Sequence, residues 1–282
     1  MSGTSLALLC YMGWGATHTK PGKHQEPVAK GIDWLISQAK PDGDLRGKGD
    51  MYDQGIATIA LAEAYGLTKD ERLKPILEKA AEFIANGQTN VGSWRYSPRD
   101  KNGGDTSVYG WQVMALKSCQ MAGIKIPEDC WKKAPVWLDK AGGGKHGGLY
   151  GYNNASAKPA MVAEGLFCRQ LMGTPFDHPM MEESVNYLKT ALPDPRKVNY
   201  YYYYYGTLAL YQHKGPVWEE WNERMKKFLV GGQRKGGKDE GSWDPRGEWA
   251  GQSGRVVITA MATLSLEVYY RYLPMYSGMP GE

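Results

Sequence analysis

The chain has 282 residues with 34 basic and 30 acidic side chains, a net charge of +4, 42% hydrophobic and 23% charged residues. A disordered chain is excluded by that hydrophobic content, and nucleic-acid binding is not indicated by so mild and mixed a charge. No stretch approaches the roughly 18 uninterrupted apolar residues of a membrane span, so a soluble protein without a transmembrane segment is expected.

The first element, Met1–Cys10, is apolar but lacks the basic start of a signal peptide, and Leu9 is too bulky for a lipoprotein cleavage site. It reads instead as a helix, because Ala7–Leu8 begins a series. Gly55–Leu61, Gly110–Leu116, Ala160–Leu166, Tyr204–Leu210 and Arg255–Met261 align with it, their small residues falling at Ala7, Ala60, Ala115, Gly165, Ala209 and Ala260. Spacing of 44 to 55 residues marks an internal repeat. Each segment is apolar nearly all round, as a helix buried on most sides must be.

Between these segments lie amphipathic helices at 25–40, 71–86, 131–141, 178–192 and 217–230, with apolar residues at three- and four-residue spacing. Alternation of fully buried and half-exposed helices predicts two concentric rings, whereas an open solenoid would bury both members of a pair more equally. The expected fold is all-α: an α/α toroid of about six hairpins, six inner and five outer helices, in one domain over 1–282, first helix cut short at its front as in a piece of a longer chain. Length alone would have suggested two domains. The four cysteines form no CxxC and read as small buried hydrophobes.

Two turns after outer segments share a pattern: Gln88, Gly92 and Trp94, then Gln233, Gly241 and Trp243. Gln38 to Gly43 and Gly147 to Tyr150 are worn versions. The pattern resembles the Gln–Trp repeat of the terpenoid cyclase and protein prenyltransferase superfamily, the prenyltransferase and squalene-oxidase repeat found in squalene-hopene-cyclase-like toroids. The resemblance implies that Gln and Trp tie one outer helix to the next turn, with Gln satisfying orphan carbonyls at the helix end while Trp covers them. It also implies that function sits in the loops entering the inner helices: Gly49–Gln54, Gly103–Tyr109, Asn154–Pro159, Asn199–Tyr203 and Glu248–Gly254.

The chemistries of that superfamily fit poorly. Asp105–Thr106 matches the end of the cyclase acid motif, but Asn102, Gly103 and Gly104 stand where further carboxylates would sit. Asp105, Ser107 and Trp111 keep the spacing of the prenyltransferase zinc site, but Ser107 replaces the thiolate, and Tyr202 or Ser253 stands where a histidine is needed. No metal and no cofactor are therefore expected.

Asp53, Asp105, Ser107, Tyr202, Tyr203, Ser253 and Arg255 form the candidate ligand-binding set, sharing only their position at or near the start of an inner helix. In a closed ring that register gathers them at one end, where helix dipoles favour an anion and the tyrosines offer a stacking face. Each has a plainer reading. The aspartates can be helix caps, Arg255 can pair with one of them rather than with a ligand, and the run Tyr200–Tyr205 must face partly inward and partly outward. His146 is a candidate base or, more plainly, a solvated loop residue, and Lys158 either an anion ligand or a surface lysine. Three functions stay open: a toroid binding a small molecule, glycan or peptide in an aromatic cavity; an altered enzyme acting on an isoprenoid; and a lyase-like glycan-active toroid. A Phe-rich cavity would favour the isoprenoid, and Tyr, Trp and Arg at the rim would favour the others. Compartment and oligomeric state are not legible.

Overall fold

The computed structural model describes residues 1–270, of which nearly all the ordered segments are helical. The six repeated segments are α1 (Ser2–Gly13), α3 (Met51–Thr68), α5 (Thr106–Met121), α7 (Pro159–Leu171), α9 (Tyr200–His213) and α11 (Ala250–Leu266). Each packs on the next, and α11 packs on α1, which closes the ring. Outside it lie α2 (Gln25–Gln38), α4 (Leu73–Asn86), α6 (Glu128–Ala141), α8 (Pro179–Lys189) and α10 (Gly215–Gly232). A two-stranded ribbon, β1 (Gly142–Gly143) and β2 (Leu149–Tyr150), is the sole sheet among the described residues. None of the described helices is long and apolar enough to cross a membrane.

Helix ends depart from the sequence expectation by a few residues, for local reasons. α2 stops at Gln38 because Ala39 is already extended and Pro41 follows. α6 starts three residues early, with Glu128 and Asp129 in a first turn whose free N–H groups favour negative charge. α11 is interrupted at Gly254, whose φ of 75° breaks the helix between its first turn and the rest.

Close approach between layers depends on glycine. A Cβ at Gly43, Gly92 or Gly148 would lie 2.1 Å from a backbone oxygen of the next outer helix, at Lys79, Lys133 and Met180 respectively. Three successive turns after outer helices are thus seated alike, including two whose Gln–Trp pattern is worn.

The two intact patterns divide their bonds in an unexpected way. The Trp94 indole N–H donates to the Ile84 carbonyl at 2.7 Å, and the Trp243 indole to Leu229 at 2.7 Å, so tryptophan itself serves the helix-end carbonyls. Gln88 donates to Gly92 O and, across to the next outer helix, to Cys130 O; Gln233 donates to Gly241 O. The expected roles are exchanged because the rigid indole reaches back one helical turn while the amide spans the turn itself. Both indoles are buried. Trp94→Ala should therefore cost ~3–5 kcal/mol in urea unfolding, and Trp94→Phe, which keeps most of the volume, should still lose roughly 1–3 kcal/mol for the orphaned carbonyl. A wild-type midpoint for both variants would show that this turn does not hold the layers together.

Candidate functional site

Because inner and outer helices alternate in direction, α3, α5, α7, α9 and α11 all begin at the same end of the barrel. Three of them are capped by side chains. Asp50 accepts from Tyr52 N, Asp105 from Val108 N at 2.7 Å, and Asn199 from Tyr202 N. The α3 cap is Asp50 and not Asp53, which lies in the first turn and accepts from the backbone N–H and hydroxyl of Ser2 at 2.7 and 2.6 Å.

Asp105 is fully buried, and only one of its oxygens is used by the cap. Its Oδ2 meets the buried Nε of Arg95 only as an ion pair at 4.0 Å, beyond hydrogen-bond distance, and the Tyr152 hydroxyl also bears on this carboxyl. Burial pushes the Asp105 carboxyl up to about 6, against the opposing pull of the Val108 N–H, the Tyr152 hydroxyl and the Arg95 guanidinium. Over this pair stand the rings of Tyr52, Tyr96 and Tyr152. The hydroxyls of Tyr96 and Tyr152 are hydrogen-bonded to each other, and Arg95 lies over the Tyr96 ring. Two backbone contacts fix the loop carrying Tyr152 to the start of α5: Thr106 N–H donates to Tyr152 O, and Thr106 Oγ1 to Gly151 O, both at 2.7 Å.

Beside Asp105 a second cluster crosses the ring. The Tyr52 hydroxyl donates to Ser107 Oγ at 2.7 Å, Ser107 Oγ and the Tyr201 hydroxyl share a 2.7 Å bond, and Tyr201 donates to the Glu164 carboxyl at 2.9 Å. These residues come from α3, α5, α9 and α7. Glu164 is fully buried, and burial holds its carboxyl well above the usual carboxylate range despite the hydroxyls of Tyr201 and Tyr205. Space for it exists because the facing residue is Gly110, whose Cβ would fall 2.0 Å from Glu164 Oε1.

The predicted set is thus only partly gathered. Asp53, Asp105 and Ser107 lie at the mouth, Asp53 beside Tyr52 in the first turn of α3 and Ser107 in direct contact with the Tyr52 hydroxyl. Tyr202 and Tyr203 do not face it: Tyr202 donates to Ala191 O and packs edge-on against Trp221, and Tyr203 donates to Asp194 O and packs on Phe228. At ~100° per residue they share a stripe with Gly206, whose missing side chain admits Trp221 of α10, so Tyr201, Tyr204 and Tyr205 are the inward ones. Gly206 was the signal that sequence reasoning overlooked. Arg255 meets neither Asp53 nor Asp105. It is held by Asp244 at 2.8 Å, Ser242 Oγ at 3.0 Å and Asp239 at 3.5 Å, in the loop before its own helix. Ser253 sits half-buried in the single turn before Gly254. His146 and Lys158 are exposed.

Sequence reasoning missed Arg95, Tyr52, Tyr96, Tyr152, Tyr201 and Glu164. Glu164 carried a legible signal, being a carboxylate inside a segment otherwise built of small and apolar residues. The others sit in loops, in the first turn of α3 or in the tyrosine run, where only the fold decides direction. Below the mouth the barrel axis is filled: Trp111 stacks on Tyr204 with centroids 5.7 Å apart and meets Tyr205 edge-on at 5.5 Å, all three nearly inaccessible.

No protein-family model and no curated protein matches this sequence. Solved structures do resemble it. The GH76A α-1,6-mannanase from a Salegentibacter species has a TM-score of 0.65 at 12% identity, over 97% of this chain and 89% of that one. An α-amylase from Clostridium perfringens has a TM-score of 0.64 at 12% identity, over 95% and 85%. The type II terpene cyclase MstE from Scytonema has a TM-score of 0.61 at 14% identity, over 96% and 87%. The chain therefore has the α/α toroid fold that these glycosidases and this terpene cyclase share, a likeness of fold and not of activity.

Two expectations follow from the site's electrostatics. The folded Asp105 carboxyl titrates near 6 against an ordinary 3.8, so its contribution to stability is present below about pH 4 and lost as pH rises through 6. Asp105→Asn keeps the cap and removes this loss. In urea unfolding it should gain on wild type between pH 4 and pH 7 by up to ~2–3 kcal/mol, whereas a constant difference across that range would mean that the ionised carboxylate is fully compensated. Arg255 is one-third exposed and its partner Asp244 is 46% exposed, so Arg255→Ala should cost only ~1 kcal/mol. A loss of several kcal/mol would require a buried partner that this geometry does not provide.

Proposed function

We propose that the chain binds a neutral, hydroxyl-rich ligand, a glycan, at the mouth formed by the starts of α3, α5, α7 and α9. One observation carries this reading: the buried Asp105 Oδ2 and Arg95 Nε form an ion pair held apart at 4.0 Å, beyond hydrogen-bond distance, beside the tyrosines of the rim. The pair attracts across that gap but makes no direct hydrogen bond, and a sugar hydroxyl, which both donates and accepts, is suited to bridge it. Tyr52, Tyr96 and Tyr152 supply aromatic faces with polar tips above it, the combination that sugar rings stack upon.

The isoprenoid reading needs a deep apolar pocket, and the barrel axis here is occupied by Trp111, Tyr204 and Tyr205. The tyrosines and the arginine at the rim favour a polar ligand instead. The mannanase that shares this fold has been captured, as an inactive variant, with α-1,6-mannotriose, which supports the choice of mannose- and glucose-based oligosaccharides as first probes.

Titration calorimetry with mannotriose, maltotriose and a polyprenyl diphosphate tests the proposal. At least one neutral oligosaccharide should bind; Tyr152→Ala should weaken it about 10-fold or more, equivalent to ~1.4 kcal/mol. Tyr202→Phe, whose hydroxyl points to the outer layer, should leave binding unchanged. Binding of the diphosphate with no heat from any saccharide would reverse the assignment.

A further inference from the structure

Trp249, which precedes the first turn of α11, is unfavourable to the fold on two counts. Its backbone is left-handed, at φ 65°, where a bulky side chain is strained and Gly or Asn is not. Its indole is 57% exposed, so burial does not offset that strain. The turn itself needs no tryptophan, because the contact it draws from position 249 is made by the carbonyl, which accepts from Gln252 N and Ser253 N. The loop is tied to the start of α9. Glu248 N–H donates to Val198 O at 3.2 Å, the Glu248 carboxylate accepts from Asn199 Nδ2 at 2.7 Å, and a Cβ at Gly247 would lie 2.1 Å from Val198 O. Asn199 is also the cap of α9, so the exposed indole follows directly on a residue held by one of the helix starts that form the mouth.

The order of the ring places Trp249 opposite the Arg95–Asp105 pair. α1, α3, α5, α7, α9 and α11 follow one another around the barrel, so α11 is three places from α5 in either direction. With neighbouring helices roughly 8–10 Å apart, opposite members of a six-helix ring stand about 16–20 Å apart. One sugar ring cannot bridge that span, and a short oligosaccharide can. We propose that Trp249 is a second stacking platform of the glycan site, so that the ligand is an oligosaccharide lying across the mouth, with one unit at the Arg95–Asp105 pair and a distal unit on the indole. The inference rests on the glycan-binding reading above. An indole face takes up the C–H side of a sugar ring while the hydroxyls of that ring stay in water. Exposure of the indole, unfavourable in the free protein, is what such a contact requires.

The test is calorimetry with a mannose and a glucose series, each from monosaccharide to tetrasaccharide, on the wild type, Trp249→Asn, Trp249→Phe and Tyr152→Ala. Wild-type affinity should rise with chain length until the ligand reaches the indole. Trp249→Asn should bind the shortest saccharide that the wild type binds within about twofold, yet lose about 10-fold on the tetrasaccharide. Trp249→Phe, which keeps an aromatic face, should retain most of the gain with length, and Tyr152→Ala should weaken every length. Thermal unfolding separates this role from a structural one. Asn tolerates the left-handed backbone, so Trp249→Asn should melt at or above the wild-type temperature. Wild-type affinity that does not change with length, a Trp249→Asn variant that binds every length as wild type does or weakens all lengths equally, or one that melts well below wild type overturns the inference and leaves the binding proposal standing. A protein that binds no saccharide of either series overturns both.

Discussion

A ring of helices wrapped by a second ring has no side facing water. Every polar group on the inner ring must therefore find a partner within the protein or lie at a helix end. The donors of the interior largely obey this, while the side-chain oxygens of Gln112 and Gln170 are left without a hydrogen bond among the described residues. Thr58 bonds back to Gln54 O one turn below, Gln112 reaches across to Met51 O of α3, and Gln170 to Ala209 O of α9. The same constraint favours charge at the ends of the barrel, although Glu63 and Glu164 are buried along inner helices. Asp50, Asp105 and Asn199 are at one end because helix starts need acceptors, and a mouth rich in acceptors results before any ligand is considered.

That logic also explains how much was legible in the sequence. The architecture was, because a helix buried on all sides leaves an unmistakable run of small and apolar residues, and six such runs recur in register. The glycine seats at 43, 92 and 148 repeat with it. Side-chain direction at the mouth was less so. Six consecutive tyrosines carry no periodic contrast, so the choice between Tyr201 and Tyr202 depended on knowing that Trp221 occupies the gap at Gly206. The position of Arg255 pointed to the mouth aspartates or a ligand, whereas its partners are Asp239, in the insertion that lengthens its own turn, and Asp244 just after Trp243. Glu164 could have been singled out, since nothing in a purely structural repeat calls for a carboxylate at that place.

The same toroid serves a mannanase, an amylase and a terpene cyclase, so what fills its axis matters more than the ring itself. Here large aromatic rings fill the axis and tyrosine hydroxyls collect at one end. The interior thus acts as a floor rather than a tunnel. Polar atoms that would be costly deep in the barrel become available at its rim, and the buried carboxyls of Asp105 and Glu164 lie where that floor meets solvent-accessible side chains.

Closure of the ring by α1 against α11 has a consequence for how the protein reaches this state. The Cys10 thiol meets the Ala260 carbonyl at 3.5 Å across 250 residues of sequence. On the ribosome, α1 leaves the exit tunnel long before its partner has been made. Until then the flank of α1 that carries Gly3 and Cys10, which faces Val256 and Ala260 of α11, lacks its neighbour. Contacts this distant in sequence form slowly and leave apolar surface exposed while they wait. Biogenesis of such a toroid is therefore limited by its last joint, and a folding helper that shields α1 would act at the step where the nascent chain is most prone to aggregate.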